Sequence, residues 1–491
     1  PRPFDERGYP SQTGDVPLAW YERFFETALR LRMNMVAPYT RVHRRYEVQK
    51  LASDWGLYYT SHHYDTLVSN PWGLERFGLA RDRGVRPDWS WFTNREGLLR
   101  FWRGGVLENR DIDVIWPVGM RGTADRPYVF PPGTTDGEKA KVFHDAIRAQ
   151  VEMVRELLPP GKTPLFHFTM YTEMLDQYLR DPDAFDLPDD VIVVWPDDND
   201  GHMRGLPRDR GRWKHGVYYH LAYLGGNLSK QVTHVVAPAT IAAEFGRIVK
   251  AGATEFMLVN VSELREYVMG ARMLSDITWN GPAVLDAPDA AGRFVAWWSR
   301  EYFGAADAAA RGVYADYASR LDTPDKLWLA SDAVEELLDR LYARVEGETA
   351  PPLEAARLEP LQSRGRRLAE ALATAERAKE QMSPAARQYF SENVELGLRV
   401  AERQNRAARK LDEALRAPDT ARMWRRVEEA RAPLEELETE LHWAEHPPFE
   451  GWYRETWIRS RFSRNNPHRA YEDLRLFLTS QGRERPVRPI R

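Results

Sequence analysis

The chain has 491 residues, no cysteine, and 69 basic against 73 acidic side chains, for a formal net charge of -4. Disulfides, thiolate zinc sites and cysteine nucleophiles are therefore excluded, and the even charge balance argues against a general nucleic-acid or membrane surface. No apolar run is long enough to span a bilayer, and 17 Trp with 21 Tyr supply many rings of the kind that stack on sugars or fill cores.

A chain of this length is expected to hold two or more domains. It begins at Pro1 with neither Met nor a signal peptide, which reads as a trimmed or mature form of a soluble protein, secreted or cytoplasmic. Residues 7–12 read as a short first strand. An amphipathic helix is expected over 17–32, with Trp20, Phe24, Phe25, Ala28 and Leu29 on one face. A second strand over 33–39 precedes a helix over 46–55, which Gly56 ends. The third strand, 57–63, ends in Ser61, His62 and His63. A helix over 93–108 leads to a fourth strand, 113–118, and the segment GMRGTAD from Gly119 to Asp125. A long helix covers 137–158. The fifth strand, 164–171, is followed by Glu173.

The sixth strand, 190–195, is an unbroken apolar run from Val191 to Trp195, as a strand covered on both faces requires. Asp197, Asp198, Asn199 and Asp200 follow at once, either as a ligand-binding edge or as a polar turn with an Asx cap. The seventh strand, 216–223, carries Tyr218, Tyr219 and His220. A helix over 239–251 and an eighth strand, 255–261, follow, with Asn260 and Glu263 at the strand's end.

Eight strands alternating with helices predict an α/β fold, a (β/α)8 TIM barrel occupying 1–305, with ligands bound at the carboxyl ends of its strands. His62, His63, Arg121, Asp125, Glu173, Asp197, Asp198, Asn199, Tyr219, His220 and Glu263 would then surround one mouth. Beyond 305 the composition shifts to Ala, Glu, Leu and Arg. Helices are expected over 324–346, 353–380, 384–416 and 418–443, forming an all-α helical bundle domain over 306–480 that is also a candidate homodimer surface. The aromatic, basic segment 451–464 packs back on the barrel or completes the bundle. The tail, 481–491, reads as flexible and basic.

Glu173 suits a proton donor or base at the mouth, and equally the first turn of a helix, where the dipole favours a carboxylate. Paired carboxyl groups across a mouth are the apparatus of glycoside hydrolysis, with Asp125, Asp197 and Asp198 as partners for Glu173. Arg121 could grip a substrate carboxylate with its planar fork, or pair with Asp125. His62 and His63 are adjacent, so on a strand they face opposite ways and cannot easily share one metal. No zinc spacing, GxSxG elbow, phosphate loop or dinucleotide fingerprint occurs, and neither a metal nor a cofactor is expected.

Six ordered blocks are TSHHY (Thr60 to Tyr64), GMRGTAD (Gly119 to Asp125), MYTEMLDQY (Met170 to Tyr178), VVWPDDNDGHMRGLP (Val193 to Pro207), GVYYHLAYLGG (Gly216 to Gly226) and LVNVSEL (Leu258 to Leu264). Together they resemble glycoside hydrolase family 115. That family contains α-glucuronidases that remove glucuronic acid or its 4-O-methyl ether from xylan, and relatives act on other glycans. The resemblance implies an inverting, exo-acting enzyme without a cofactor, acting on an acidic plant or microbial oligosaccharide or polysaccharide. It places the general acid on Glu173 and substrate contacts on Arg121, Asn199 and Tyr219. Asp125 matches the acid of the GMRG block, with Asp197 and Asp198 beside Asn199, and the base is left open between Asp125 and Asp198. His62, His63, Tyr64, His220 and Glu263 complete the expected substrate contacts.

The chain departs from the family pattern at Tyr64 (usually Glu), Asp200 (usually Trp) and Ala222 (usually Asp). No stretch matches the family's small N-terminal domain or its C-terminal β domain. These differences imply an altered sugar specificity or, alternatively, a catalytically inactive carbohydrate-binding protein.

Overall fold

The computed structural model describes residues 18–38, 45–75, 78–123, 126–171, 173–181, 186–208, 211–222, 224–225, 228–229, 236–261, 265–319, 330–447, 449, 452–453 and 467–483. Parallel strands organise its first half. They are β1 (Met35–Val36), β2 (Tyr58–Tyr59), β3 (Ile115–Pro117), β4 (Leu165–Thr169), β5 (Val191–Pro196) and β6 (His215–His220). A small antiparallel pair, β7 (Leu224–Gly225) and β8 (Leu228–Ser229), precedes the last parallel strand, β9 (Met257–Asn260). β1 pairs with β2, while β3, β4, β5, β6 and β9 pair in that order. A bridge between Tyr59 and Val114 joins the two sets.

The alternation along β5 shows why the sheet needs cover on both faces. Val193 and Trp195 enter the large outer cluster beneath the helices. Ile192 and Val194 point the other way, into a small cluster with Tyr171, Tyr218 and Phe256. Met35 of β1, Ile115 of β3 and Leu258 of β9 pack against that same inner cluster. The first and last of these strands thus share one interior, so the sheet is curled.

The helix Asp136–Leu157 illustrates the outer layer. Thr135 and Glu138 close a capping box at its start. Val142, Phe143, Ala146, Ile147, Gln150, Val151 and Val154 recur at helical spacing and are buried. Each large apolar side chain buried this way contributes about 1.5–3 kcal/mol.

The seven strands expected between 33 and 261 all occur, mostly shortened. The first expected strand, 7–12, lies outside the described residues. Glu173 opens a helix, Glu173–Arg180, so the helix-start reading of that residue is the one observed. The expected strand over 216–223 stops at His220.

Helices Val268–Leu285, Ala290–Phe303 and Asp307–Ser319 were not anticipated. Farther on, helices Ala330–Val345, Ala355–Lys379, Leu396–Leu415, Thr420–Trp443 and Arg469–Ser480 share a core that includes Leu337, Leu361, Leu411, Val427 and Phe477. The single helix expected over 384–416 is interrupted by a π turn, Ser391–Glu395. The largest apolar cluster runs without a break from Phe166 and Trp195 through Trp298 and Tyr314 to Leu368, Phe390 and Val394. From the aromatic segment after 450, Trp452 Nε1 and Tyr453 OH donate to the buried Glu266 carboxylate at 2.9 and 2.8 Å. Burial pushes the Glu266 carboxyl above its ordinary range, against the opposing pull of Arg265.

Candidate active site

The site is built from the segments that leave β3, β4, β5 and β6. After β3 the chain turns at Gly119, whose φ of 135° is open to glycine and strained for other residues. Gln150 holds both sides of this residue. Its Oε1 accepts from Gly119 N at 2.8 Å, and its Nε2 donates to Gly119 O at 2.9 Å. Two residues on, Arg121 is 2% exposed. Its Nη1 donates to Glu173 Oε2 and to the Tyr171 carbonyl, both at 2.6 Å. The guanidinium lies 5.3 Å from the centre of the Tyr171 ring. Trp89 Nε1 fixes the Arg121 carbonyl at 2.6 Å. Glu173 itself is partly open to solvent.

After β5, Asp197 is fully buried and accepts three hydrogen bonds. Its Oδ1 takes Asn199 N at 3.0 Å and pairs with His220 Nδ1 at 2.6 Å. Its Oδ2 takes His220 N at 2.8 Å. Asn199 adopts φ 70°, a left-handed conformation that asparagine tolerates better than most residues. Tyr171 OH donates to Asn199 Oδ1 at 3.0 Å. Asp198 is exposed, and its Oδ1 accepts from Asp200 N at 2.9 Å and His202 N at 3.1 Å. The Asx-turn reading of this run therefore describes Asp198, whereas Asp197 reaches across to β6.

Tyr218 and Tyr219 point to opposite sides of β6, as alternation demands. Tyr219 is on the outer face, its ring 5.1 Å from Phe245, and its hydroxyl donates to the Gly201 carbonyl at 2.9 Å. It supports the turn after β5 from behind instead of lining the mouth. Tyr218 is the inward residue, 4.4 Å from the His220 ring and 5.8 Å from the His63 ring.

His62 and His63 lie beyond the end of β2, so strand alternation does not separate them, and both approach Tyr218. His63 is buried with its ring centre 4.5 Å from that of Tyr171. His62 is half-buried and stacks on Tyr64 at 5.1 Å. The same loop holds Leu67 and Val68 at φ 49° and 57°, unfavourable for a β-branched valine. Thr66 Oγ1 to Gly119 O (3.1 Å) and Asn70 Nδ2 to Asp65 Oδ1 (2.8 Å) pin it in place. Beneath the site, His167 of β4 stacks on Phe256 at 4.7 Å and contacts Thr60 Oγ1 through Nε2 at 2.9 Å. Burial, with His63 nearby, pushes its pKa down to about 3.

The contacts close a circuit from Glu173 through Arg121, Tyr171, Asn199, Asp197, His220, Tyr218 and His63 back to Tyr171. Asp125 and Glu263 lie outside the described residues. Tyr171, Tyr218 and His167 were not among the expected site residues. Alternation along β4, with Phe166 and Phe168 facing the outer cluster, points to His167, Thr169 and Tyr171 as inward residues. Among the described residues, no group of three His, Asp or Glu side chains is placed to hold a metal ion. No helix among them is long and apolar enough to cross a membrane.

The sequence matches the family described as "Glycosyl hydrolase family 115" over residues 3–323. Comparison with curated proteins gives no match. A solved structure described as "A novel family GH115 4-O-Methyl-alpha-glucuronidase, BtGH115A, with specificity for decorated arabinogalactans" is similar, with a TM-score of 0.71 at 20% identity. The match covers 89% of this chain and 55% of that one, so this chain spans about half the length of that structure. At this identity the likeness is one of fold. Another, "Structure of CpGH84B", reaches a TM-score of only 0.28 at 12% identity over 87% of this chain and 72% of that one, and carries no argument.

Proposed function

This chain belongs to glycoside hydrolase family 115, and from that premise we propose that it is an inverting, exo-acting α-glucuronidase-like enzyme. Its substrate is a polysaccharide decorated with glucuronic or 4-O-methylglucuronic acid. The observation that carries the proposal is the placement of Glu173. It stands partly open beside the circuit of strand-end side chains, with one carboxylate oxygen held by the buried Arg121.

Glu173 is the general acid in this reading. Arg121 holds Oε2 at 2.6 Å and so fixes the carboxyl group that hands its proton to the glycosidic oxygen. Arg121 is too deeply buried to meet the substrate before Glu173 does, so its role is positioning. The base is Asp125 or Asp198, across the sugar roughly 6.5–9.5 Å from the acid, with a water between them. Asp197 is a poor base because it is buried and accepts three hydrogen bonds, and it serves to orient His220 and Asn199. Asn199, with Oδ1 bonded by Tyr171, offers an amide donor to the sugar, and half-buried His62 and Tyr64 supply a wall.

The shared interior of β1 and β9 supports reading the sheet as a (β/α)8 barrel over 1–305. The common core of the later helices supports a bundle over 306–480.

The test is release of free uronate from glucuronoxylan and from uronate-decorated arabinogalactan, with NMR of the nascent product. Inversion yields the β anomer first. Absence of release from every acidic glycan offered, or a retained α product, would defeat the proposal.

A further inference from the structure

A second concavity lies in the helical half, a cavity of about 330 Å³ beside the π turn Ser391–Glu395. Gln388, Ser391, Glu395, Arg399, Glu440 and Trp443 are among the residues that line it. We propose that this cavity is a sugar-binding subsite for a neutral pyranose unit of the polysaccharide backbone. The inference rests on the glycan-hydrolase reading above.

Trp443 is 57% exposed, so much of its ring is open to a ligand. Arg399 lies 5.2 Å from its centre. Such a ring offers the apolar face on which the C–H face of a sugar packs, while polar neighbours meet the hydroxyls. The polar groups here are fixed by one another. Arg399 Nε donates to Glu395 Oε1 at 2.7 Å and Arg399 Nη1 to Glu440 Oε1 at 2.6 Å. Ser391 Oγ donates to Glu395 Oε2 at 2.9 Å, and Lys379 Nζ reaches that same oxygen at 2.7 Å. Glu392 pairs with Arg265, and Arg387, the other cation of the wall, donates to the Lys379 and Met382 carbonyls, so the charged groups here are already engaged, which suits an uncharged polyol better than an anion. The π turn brings Ser391, Glu392 and Glu395 to this wall, and π turns occur often at functional sites.

The location supplies the occupant. Arg265, which lies just beyond β9, donates to Glu392 Oε2 at 3.0 Å and also to the Ala444 carbonyl. Glu392 and Ala444 both line the cavity. Its wall is therefore fastened to the segment leaving the carboxyl end of β9, the end at which the mouth opens. An enzyme that removes a uronate branch has the backbone as its leaving group, and that backbone must extend outward from the mouth. A subsite at the rim would hold it.

The experiment uses the full chain and two neutral probes, xylohexaose and a linear β-linked galactohexaose, by isothermal titration. One of the two should bind, which also identifies the backbone. Trp443→Ala should weaken that binding roughly five- to tenfold, with Trp443→Phe recovering most of it. Gln388→Ala, at an exposed helix position, is the second variant and should weaken binding in the same sense. On decorated polysaccharide, Trp443→Ala should raise KM with kcat unchanged, and hydrolysis of an activated aryl α-glucuronide should match wild type. Wild type binding neither probe, or both variants binding as tightly as wild type, would overturn the subsite. If binding depends on Trp443 but no uronide is hydrolysed, the subsite stands and the hydrolase reading fails.

Discussion

The carboxylate of Glu173 and the guanidinium of Arg121 meet at 2.6 Å, one from the segment after β4 and the other from the segment after β3. The same Arg121 nitrogen also donates to the Tyr171 carbonyl. One buried side chain thus ties together the exits of two neighbouring strands and sets the direction of the proposed acid.

Glu173→Gln keeps the shape of that contact but cannot donate a proton well. Turnover on the natural glycan should fall by roughly 10²–10⁴. An aryl uronide with a good leaving group needs little protonation and should lose much less. Steady-state kinetics on both substrates check this, and an unchanged rate on the glycan would remove Glu173 from the acid role.

Arg121→Lys tests positioning. Lysine retains charge but is a compact ammonium on a flexible stem, without the rigid planar guanidinium whose one nitrogen serves both Tyr171 O and Glu173. The expected result is a kcat lowered about tenfold or more with a smaller change in KM, since a misplaced acid affects the transition state chiefly. Wild-type kcat in the variant would show that Arg121 does not set the geometry of Glu173.

Asp197→Asn replaces an acceptor of three hydrogen bonds with a group that has one acceptor oxygen. At least one N–H of Asn199 or His220 then lacks its acceptor inside the protein, at a cost of about 1–3 kcal/mol. Chemical denaturation should register that loss, and activity should fall with it as His220 and Asn199 lose their alignment. A variant with wild-type stability and rate would show that this buried carboxylate is dispensable.

His167 makes stability depend on pH. Its pKa is about 3 in the folded protein, against an ordinary value of 6.5. Between those values the unfolded chain takes up a proton that the folded chain refuses. Stability from this group is therefore full above pH 6.5 and lost as the pH falls toward 3, by as much as ~5 kcal/mol. His167→Gln should flatten the decline in urea midpoint between pH 6 and about 4. Parallel curves for variant and wild type would refute this.

Periodicity made the sheet legible. The run Val191 to Trp195 reads as a strand buried on both sides, and it lies inside the sheet. Alternation also separates Tyr218 from Tyr219, but which of the two faces inward depends on how the sheet curls, a property of the whole. Resemblance favoured Tyr219, whereas packing turns Tyr218 toward His63 and His220. The run Asp197 to Asp200 shows another limit. Its composition fits a turn and a site equally, and only the three-dimensional register shows Asp197 meeting His220 while Asp198 caps a turn. The π turn at Ser391 was invisible because its residues suit an α-helix as well. Its Glu395 pairs with Lys379 and with Arg399 on the next helix, and its Glu392 with Arg265, which is remote in sequence.

The apolar cluster that joins Trp195, Trp298, Phe303, Tyr314, Leu368 and Val394 bears on how the molecule comes apart. Among the described residues it runs as one cluster from the sheet into the helices beyond. Calorimetry should therefore record the loss of these two regions as one cooperative transition. A fragment ended near residue 305 would carry a raw hydrophobic face where Tyr314, Leu368 and Phe390 had packed, and a face of that kind drives aggregation.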